Sequence, residues 1–253
     1  MFEIPRTAPR FLLALLGSGE FEPWTARFET ELLEAATGDG SVVIVATASA
    51  PEGPTYHEWL EMGLDHYADA GVVAHVADIR GREDAYRDDV VADIERASLV
   101  FMSGGDASYL AMALAGSPAW EATRDLLERG GALAGCSAGA MVLGDAAPPN
   151  MLQDLRLEDL GSGFGLLPST WIWPHWAESP SELRAHLLGL TPDDAPTLLI
   201  DERTATIARG ETWITVGEGS ARWFDDAVTA RAAEDISDAA THPDVDVGLE
   251  IAS

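Results

Sequence analysis

The chain has 253 residues, and its 47% hydrophobic and 23% charged content is typical of a soluble globular protein. Its 43 acidic residues outnumber 15 basic ones, all arginine, and give a formal net charge of −28. Such a surface repels phosphate backbones and anionic lipids, which argues against nucleic acid and membranes as partners. We interpret the charge as a solvated acidic surface; attraction of cationic substrates, such as arginine-containing peptides, is the alternative.

The first 145 residues alternate apolar runs with helix-compatible segments. Predicted strands span residues 11–16, 41–47, 71–77, 99–102 and 131–134. Predicted helices span residues 23–36, 54–70, 84–97, 107–115, 118–129 and 138–143. Strands that are apolar on both faces and alternate with helices indicate a mostly parallel, doubly wound α/β sheet.

After residue 145 the pattern becomes less regular. A tryptophan-rich stretch covers residues 170–176, and residues 181–190 form a predicted helix. Four short strand-like segments follow, at residues 197–201, 204–209, 212–216 and 220–224. They predict an antiparallel or mixed extension of the sheet. We expect one α/β domain over residues 1–234 and a loosely held acidic tail over residues 235–253.

The cysteine content and the hydropathy of the chain exclude several kinds of site and segment. The single cysteine, Cys136, excludes an internal disulfide and a cysteine-based zinc site. The apolar run at residues 11–16 is too short to span a membrane and lacks a cleavage-site pattern. His57-Glu58 lacks the second histidine of a zinc-binding helix. We therefore expect a cytoplasmic protein without a metal or a cofactor, and the sequence leaves a homodimer open.

The segment Gly135-Cys136-Ser137-Ala138-Gly139 has the G-x-S-x-G pattern of a nucleophile elbow between a strand and a helix. In this turn the serine hydroxyl is lifted from the sheet edge towards the N-terminus of the following helix. Cys136 is the stronger intrinsic nucleophile. However, it precedes the apex, where the side chain should point into the sheet, and we interpret it as a small buried residue.

A serine nucleophile needs a base and an acid that orients the base. His175, 38 residues after Ser137, is the candidate base. Asp201 and Glu202 follow a predicted strand, where ligands gather in open α/β sheets, and Asp154 lies in the irregular segment. From the residues alone, these three carboxylates remain alternatives for the acid.

An oxyanion hole needs two backbone donors. The residue after the nucleophile, Ala138, supplies the first N–H in such elbows. The segment Ser103-Gly104-Gly105-Asp106 ends the preceding strand and permits close approach of the backbone, so Gly105 is the candidate for the second. A plain glycine-rich strand exit is the alternative for this loop.

Five segments in order resemble motifs of the serine peptidase family of dipeptidase E (aspartyl dipeptidase) and cyanophycinase. They are the Gly17-Ser18-Gly19 loop, the segment from Phe101 to Asp106 with Leu110, the elbow Gly135–Ala140, the Gly163–Pro168 block followed by His175, and the block Ile200-Asp201-Glu202 with Thr204-Ala205. The resemblance implies a class I glutamine amidotransferase-like, flavodoxin-like fold. It also implies serine peptidase activity.

By this resemblance Ser137 is the nucleophile, His175 the base, and Ala138 and Gly105 the oxyanion donors. The cyanophycinase-like branch takes its acid from the I-D-E block, which implies Glu202.

The dipeptidase E branch takes the acid from the segment between elbow and histidine. There this chain offers Asn150 and Asp154 without a clean match, so we favour Glu202.

Substrate contacts are less well marked. The cyanophycinase-like branch carries glutamine before the catalytic histidine and arginines soon after, whereas this chain has Pro174, and then Glu178 and Arg184. These departures weaken the case for cyanophycin and its β-linked Asp-Arg units. Asp106, Trp173 and Trp176 are weak candidates for substrate contacts, and core packing is the preferred alternative for the tryptophans.

The sequence thus predicts a serine hydrolase that cleaves small peptides through a Ser-His-Glu triad. Two alternatives remain. One is a thiol-dependent, amidotransferase-like enzyme using Cys136. The other is a catalytically silent binding or regulatory protein on the same fold.

Overall fold

The computed structural model of the protein describes residues 11–150, 152–209 and 212–241. Within these residues the strands are β1 (Leu12–Leu16), β2 (Val42–Val45), β3 (Ala74–Val76), β4 (Leu99–Met102), β5 (Ala132–Cys136), β6 (Ala146–Ala147), β7 (Gly161–Ser162), β8 (Trp171–Trp173), β9 (Thr197–Ile200), β10 (Thr204–Arg209), β11 (Thr212–Gly217) and β12 (Ala221–Phe224).

The α-helices of the same part of the chain are α1 (Ala26–Ala35), α2 (Pro54–Asp69), α3 (Asp88–Arg96), α4 (Ala107–Leu114), α5 (Pro118–Glu128), α6 (Ala138–Met141), α7 (Ser181–Leu190) and α8 (Ala227–Thr241). Short 3₁₀ helices cover Thr47–Glu52, Asp84–Tyr86, Leu152–Asp154 and Leu157–Asp159.

A seven-stranded sheet forms the centre, in the order β11-β10-β1-β5-β4-β2-β3. Its five strands from β1 to β3 in that order run parallel, and β10 and β11 extend it antiparallel at the β1 edge. The predicted mostly parallel α/β sheet with an antiparallel extension is therefore confirmed.

Helices cover both faces of this sheet and make a three-layer structure. Alternate residues of β2 face opposite cores: Val42 and Ile44 pack with α1 and α2, and Val43 and Val45 with α3, α4 and α5. All four side chains are almost completely buried. Burial on both faces explains why the strands are apolar runs rather than alternating ones.

The predicted helix at residues 84–97 is interrupted. A 3₁₀ turn at Asp84–Tyr86 precedes α3, and Arg87 between them has extended backbone angles. The Asp84 side chain accepts hydrogen bonds from the backbone N–H groups of Arg80 and Gly81, at 2.9 and 3.1 Å. An aspartate that bonds the backbone before it favours a turn over a continuous helix.

The segments predicted as strands at 197–201 and 220–224 leave the central sheet. They form β9 and β12, which pair with β8 in a separate three-stranded sheet in the order β12-β9-β8. Strand β8 lies in the tryptophan-rich stretch, where no strand was predicted. It runs parallel to β9, with Trp173 opposite Leu199, so residues just after both strands reach the same edge.

The last helix crosses the boundary expected at residue 234. Helix α8 buries Ala227 and Ala230 completely. Glu234 on this helix is also buried, and its carboxylate lies 2.6 Å from Arg222 and 3.5 Å from Arg184. Residues 235–241 continue this helix, and the remainder of the predicted tail, residues 242–253, lies outside the described residues.

The Gly163–Pro168 block packs against the chain that leaves α6. The N–H groups of Gly163 and Gly165 donate to the carbonyl oxygens of Asp145 and Gly144, at 2.8 and 2.9 Å. A Cβ atom on Gly163 would lie 2.2 Å from the Gly144 carbonyl oxygen. Close backbone contact therefore requires glycine at this position.

Replacement of Gly163 by alanine should destabilise the protein by about 1–3 kcal/mol, because backbone atoms must move to admit the methyl group. Gly189→Ala is the matched control, since Gly189 is helical and a Cβ there would meet no atom within 4 Å. That control should be neutral or stabilising by up to about 1 kcal/mol. Chemical unfolding of both variants measures the difference, and equal midpoints would contradict the packing argument.

Candidate active site

Ser137 occupies a strained turn between β5 and α6. Its backbone angles are φ 50° and ψ −113°, unusual for a residue other than glycine. A Cβ on Gly135 would lie 2.3 Å from the Gly139 carbonyl oxygen, and one on Gly139 would lie 2.2 Å from that of Met102. The two glycines of the G-x-S-x-G segment are thus explained by crowding around the turn.

His175 lies next to the serine. Its Nε2 atom is 3.0 Å from Ser137 Oγ, a hydrogen-bonding distance. His175 also has a positive φ, 55°, and its carbonyl oxygen accepts from the Ser179 hydroxyl at 2.7 Å. The next residue, Trp176, donates its N–H to the Ile200 carbonyl at 3.0 Å. The small sheet therefore holds the histidine against the elbow of the central sheet.

Of the three carboxylates considered, the structure brings only Glu202 to the histidine. Glu202 Oε1 lies 3.8 Å from His175 Nδ1, which is ion-pair distance but longer than a hydrogen bond. Its Oε2 atom accepts from the Glu178 backbone N–H at 3.2 Å. The Glu202 side chain is 15% exposed and that of His175 is 47% exposed, so water reaches the pair from the histidine side.

The other two carboxylates are placed elsewhere. Asp201 Oδ2 accepts from both the backbone N–H and the hydroxyl of Ser220, at 2.8 and 2.7 Å. These bonds close the turn between β9 and β12. Asp154 is exposed on a 3₁₀ helix. The geometry therefore favours Glu202 over both.

The loop after β4 packs tightly beside the elbow. Gly105 has φ 133°, and a Cβ on it would lie 2.4 Å from the Ala48 carbonyl carbon. A Cβ on Gly104 would lie 3.3 Å from Ser137 Cβ. Within the described part of the chain, the N–H groups of Gly105 and Ala138 donate no backbone hydrogen bond. Both predicted oxyanion donors remain available to a ligand.

Asp106, a weak candidate for substrate contact, forms hydrogen bonds that stabilise the start of helix α4. Its Oδ1 atom accepts from the Tyr109 backbone N–H at 2.9 Å and from the Ser108 hydroxyl at 2.6 Å, so it caps helix α4. Its Oδ2 atom accepts from the Asn150 N–H at 3.2 Å. Both carboxylate oxygens are thus engaged within the protein.

The two tryptophans proposed for substrate contact lie in the core. Trp173 is 1% exposed and Trp176 is not exposed at all. The Trp173 indole donates to Thr191 Oγ1 at 3.0 Å. Such burial leaves no indole face exposed to a substrate. Both tryptophans pack in the core, as the preferred alternative for them predicted.

Cys136 points into the protein. It is fully buried, and its thiol donates to Glu20 Oε2 at 2.8 Å. Burial, followed by the charge of Glu20, raises the pKa of Cys136 well above its usual range. Because the thiolate is the reactive form, the environment of this cysteine disfavours nucleophilic chemistry.

Sequence reasoning missed one residue of this region. Glu20 follows the Gly17-Ser18-Gly19 loop and is 4% exposed. Its carboxylate reaches both Cys136 and the backbone N–H of Gly104. No local pattern marks Glu20, since its partners are 84 and 116 residues away.

Among residues 11–150, 152–209 and 212–241, no group of three or more His, Cys, Asp or Glu side chains is placed to hold a metal ion. No helix in the same ranges has the length and apolar character needed to cross a membrane.

Residues 13–216 match the model of Peptidase family S51. The chain belongs to this family. The resemblance derived from the five segments is therefore confirmed. Membership in this family supports a serine peptidase.

Similar proteins include cyanophycinases. That of Nostoc sp. (strain PCC 7120 / SAG 25.82 / UTEX 2576) is 32% identical over 161 residues, covering 59% of this chain and 52% of the relative. That of Synechococcus elongatus is 26% identical over 230 residues, covering 85% and 68%. The chain thus spans about half the length of the Nostoc relative.

Solved structures with a fold similar to that of this chain include a peptidase and a putative peptidase E. A crystal structure of a peptidase from an acI-B1 Actinobacterium has a TM-score of 0.75 and 31% identity, covering 85% of this chain and 91% of the other. A putative peptidase E from Listeria monocytogenes EGD-e has a TM-score of 0.61 and 18% identity, covering 83% and 99%. At 18% identity, the similarity to the second structure is evidence for the fold alone.

The buried thiol generates a prediction about reactivity. Iodoacetamide at pH 8 should alkylate Cys136 in the folded protein at least about 100-fold more slowly than in urea-unfolded protein, because burial excludes the reagent and the raised pKa keeps the thiol protonated. Mass spectrometry of timed samples measures the rates. Alkylation of the folded protein as rapid as that of the unfolded chain would contradict both the burial of the Cys136 thiol and its raised pKa.

Proposed function

We propose that the protein is a serine peptidase that cleaves small peptides with Ser137 as its nucleophile. The observation that carries the proposal is the 3.0 Å contact between Ser137 Oγ and His175 Nε2 at a strained elbow. Membership in Peptidase family S51 supports the same reaction class.

The distances support a defined order of proton transfers. Ser137 Oγ attacks the amide carbonyl while His175 Nε2 accepts the hydroxyl proton. The same nitrogen then gives the proton to the leaving amine, and water hydrolyses the acyl-enzyme by the reverse route. The N–H groups of Ala138 and Gly105 stabilise the negative oxygen that forms on attack.

Glu202 stabilises the positive charge that His175 acquires. The 3.8 Å separation permits a favourable interaction with the imidazolium without a hydrogen bond in the resting protein. Hydrogen bonds of resting active sites often shorten when substrate binds. We therefore assign Glu202 as the third member of the triad.

The strained backbone of Ser137 supports a functional interpretation of the turn. A non-glycine residue held in a sparsely populated region costs about 1–3 kcal/mol and persists only where its surroundings enforce it. Here the enforced conformation presents the serine hydroxyl to His175.

We propose small peptides rather than cyanophycin as substrates, although named relatives are cyanophycinases. Pro174 stands where that branch has glutamine. Arg184, the nearest arginine after the histidine in sequence, lies 3.5 Å from the buried Glu234 of α8. An arginine engaged with the core is poorly placed to bind a substrate carboxylate.

The alternatives differ in what they predict for single residues. The thiol-dependent alternative requires a reactive Cys136, whose burial and raised pKa argue against it. The catalytically silent alternative predicts a serine that does not react with mechanism-based reagents. Both can be tested without knowledge of the substrate.

A fluorophosphonate probe should label wild-type protein at Ser137, because the reagent requires an activated serine hydroxyl. Ser137→Ala should abolish labelling, whereas Cys136→Ala should retain it within about threefold. Mass spectrometry of the digested adduct identifies the modified residue. An unlabelled, folded wild type would favour the silent alternative, and loss of labelling in Cys136→Ala alone would favour the thiol.

The acid can be tested by two neighbouring variants. Glu202→Gln should slow fluorophosphonate labelling by about 10²–10⁴-fold, since the amide cannot stabilise the imidazolium by charge. Asp201→Asn should label within about threefold of wild type but lose about 1–3 kcal/mol of stability through its bonds to Ser220. Labelling rates and urea unfolding measure both effects. The reverse pattern would assign the acid to Asp201.

A further inference from the structure

Glu20 is a buried ionisable residue beside the proposed nucleophile, and the mechanism above does not use it. It lies in the turn after β1 and is 4% exposed. Transfer of a carboxylate from water into a protein interior is costly unless partners compensate. The identity of its partners therefore indicates what the side chain does.

Both carboxylate oxygens are bound to groups that adjoin the reaction centre. Oε1 accepts from the Gly104 backbone N–H at 2.9 Å. Oε2 accepts from the Cys136 thiol at 2.8 Å. Gly104 immediately precedes Gly105, the proposed oxyanion donor, and Cys136 immediately precedes Ser137. One side chain thus joins the ends of β4 and β5.

Gly104 lies between this carboxylate and the nucleophile. A Cβ on Gly104 would be 3.2 Å from Glu20 Oε1 and 3.3 Å from Ser137 Cβ. The adjacent Gly105 has φ 133°, a backbone conformation that glycine adopts readily. Because glycine is flexible, contacts with neighbouring residues are needed to hold it in this one conformation. On one side the backbone of Ala48 limits its movement. On the other side the preceding residue, Gly104, donates its N–H to Glu20 Oε1.

We propose that Glu20 is a positioning residue for the oxyanion hole. By accepting from the Gly104 N–H, it fixes the Ser103–Gly104 peptide and anchors Gly104. The next peptide, which carries the Gly105 N–H, is then held between this anchor and Ala48, so that its N–H points at the oxygen that becomes negative when Ser137 attacks. Glu20 acts through Gly104 and does not contact the reacting atoms. The inference rests on the proposed function, since it assumes that Ser137 is the nucleophile.

If the role of Glu20 were purely structural, its replacement would lower the stability of the protein without changing the rate of the chemical step. The two roles are separated by a fluorophosphonate concentration series, which gives the maximal labelling rate kinact apart from the half-saturating concentration KI. The phosphonyl oxygen of the adduct occupies the position of the oxyanion, so a displaced Gly105 N–H lowers kinact. Probe binding before reaction does not need this donor, so KI should change by less than about twofold.

Three variants of Glu20 make the test specific. Glu20→Ala removes the acceptor, and Glu20→Asp shortens it by one methylene so that it cannot span Gly104 and Cys136; each should lower kinact by about 10–1,000-fold. Glu20→Gln keeps an amide oxygen for the Gly104 N–H and should remain within about fivefold of wild type.

Glu29→Ala is the matched control. Glu29 is also buried, but its carboxylate pairs with His66 at 2.8 Å between α1 and α2. Loss of this carboxylate should reduce the free energy of unfolding and leave kinact within about twofold. Circular dichroism and urea unfolding establish that each variant is folded under the labelling conditions.

The outcomes separate the two proposals. Wild-type kinact in folded Glu20→Ala and Glu20→Asp, or no recovery in Glu20→Gln, would overturn the positioning role while Ser137 labelling still supports the peptidase. If Glu20→Ala does not fold, Glu20→Asp and Glu20→Gln decide the question. Failure of the wild type to label at Ser137 would overturn the proposed function and this inference together.

Discussion

The strained backbone of Ser137 is the constraint on which the arrangement of the site depends. A positive φ at a serine is unfavourable by itself, and it is maintained because the chain on every side is close. Gly135 and Gly139 admit that closeness, since any side chain there would overlap backbone carbonyl oxygens. Relaxation of this turn would move the serine hydroxyl away from the imidazole.

The site also depends on two sheets meeting at one edge. The central sheet supplies Ser137 and the glycine loop after β4, and the small sheet supplies His175 and Glu202. Because β8 and β9 are parallel neighbours, the residues two positions beyond each strand emerge side by side. His175 and Glu202 are therefore brought together by one backbone pairing.

The elbow was predictable because its signal is local. The glycine spacing, the apolar strand before it and the helix-compatible residues after it lie within the 13 residues 131–143. The position of Cys136 before the apex also indicated that its side chain points into the sheet, and the burial of the thiol agrees with that interpretation. In contrast, the β8 strand was hidden within a tryptophan-rich stretch, because its partner β9 is more than 20 residues away.

By itself the sequence determined the α/β class, the order of most strands and helices, the elbow and the family, since these depend on short-range periodicity and on spaced motifs. The resemblance already favoured Glu202 over Asp154 and Asp201, but only the tertiary structure shows which carboxylate lies near His175, because that depends on a strand pairing. It also placed Trp173 and Trp176 in the core. Glu20 was visible only in three dimensions, since its hydrogen bonds join residues separated by more than 80 positions.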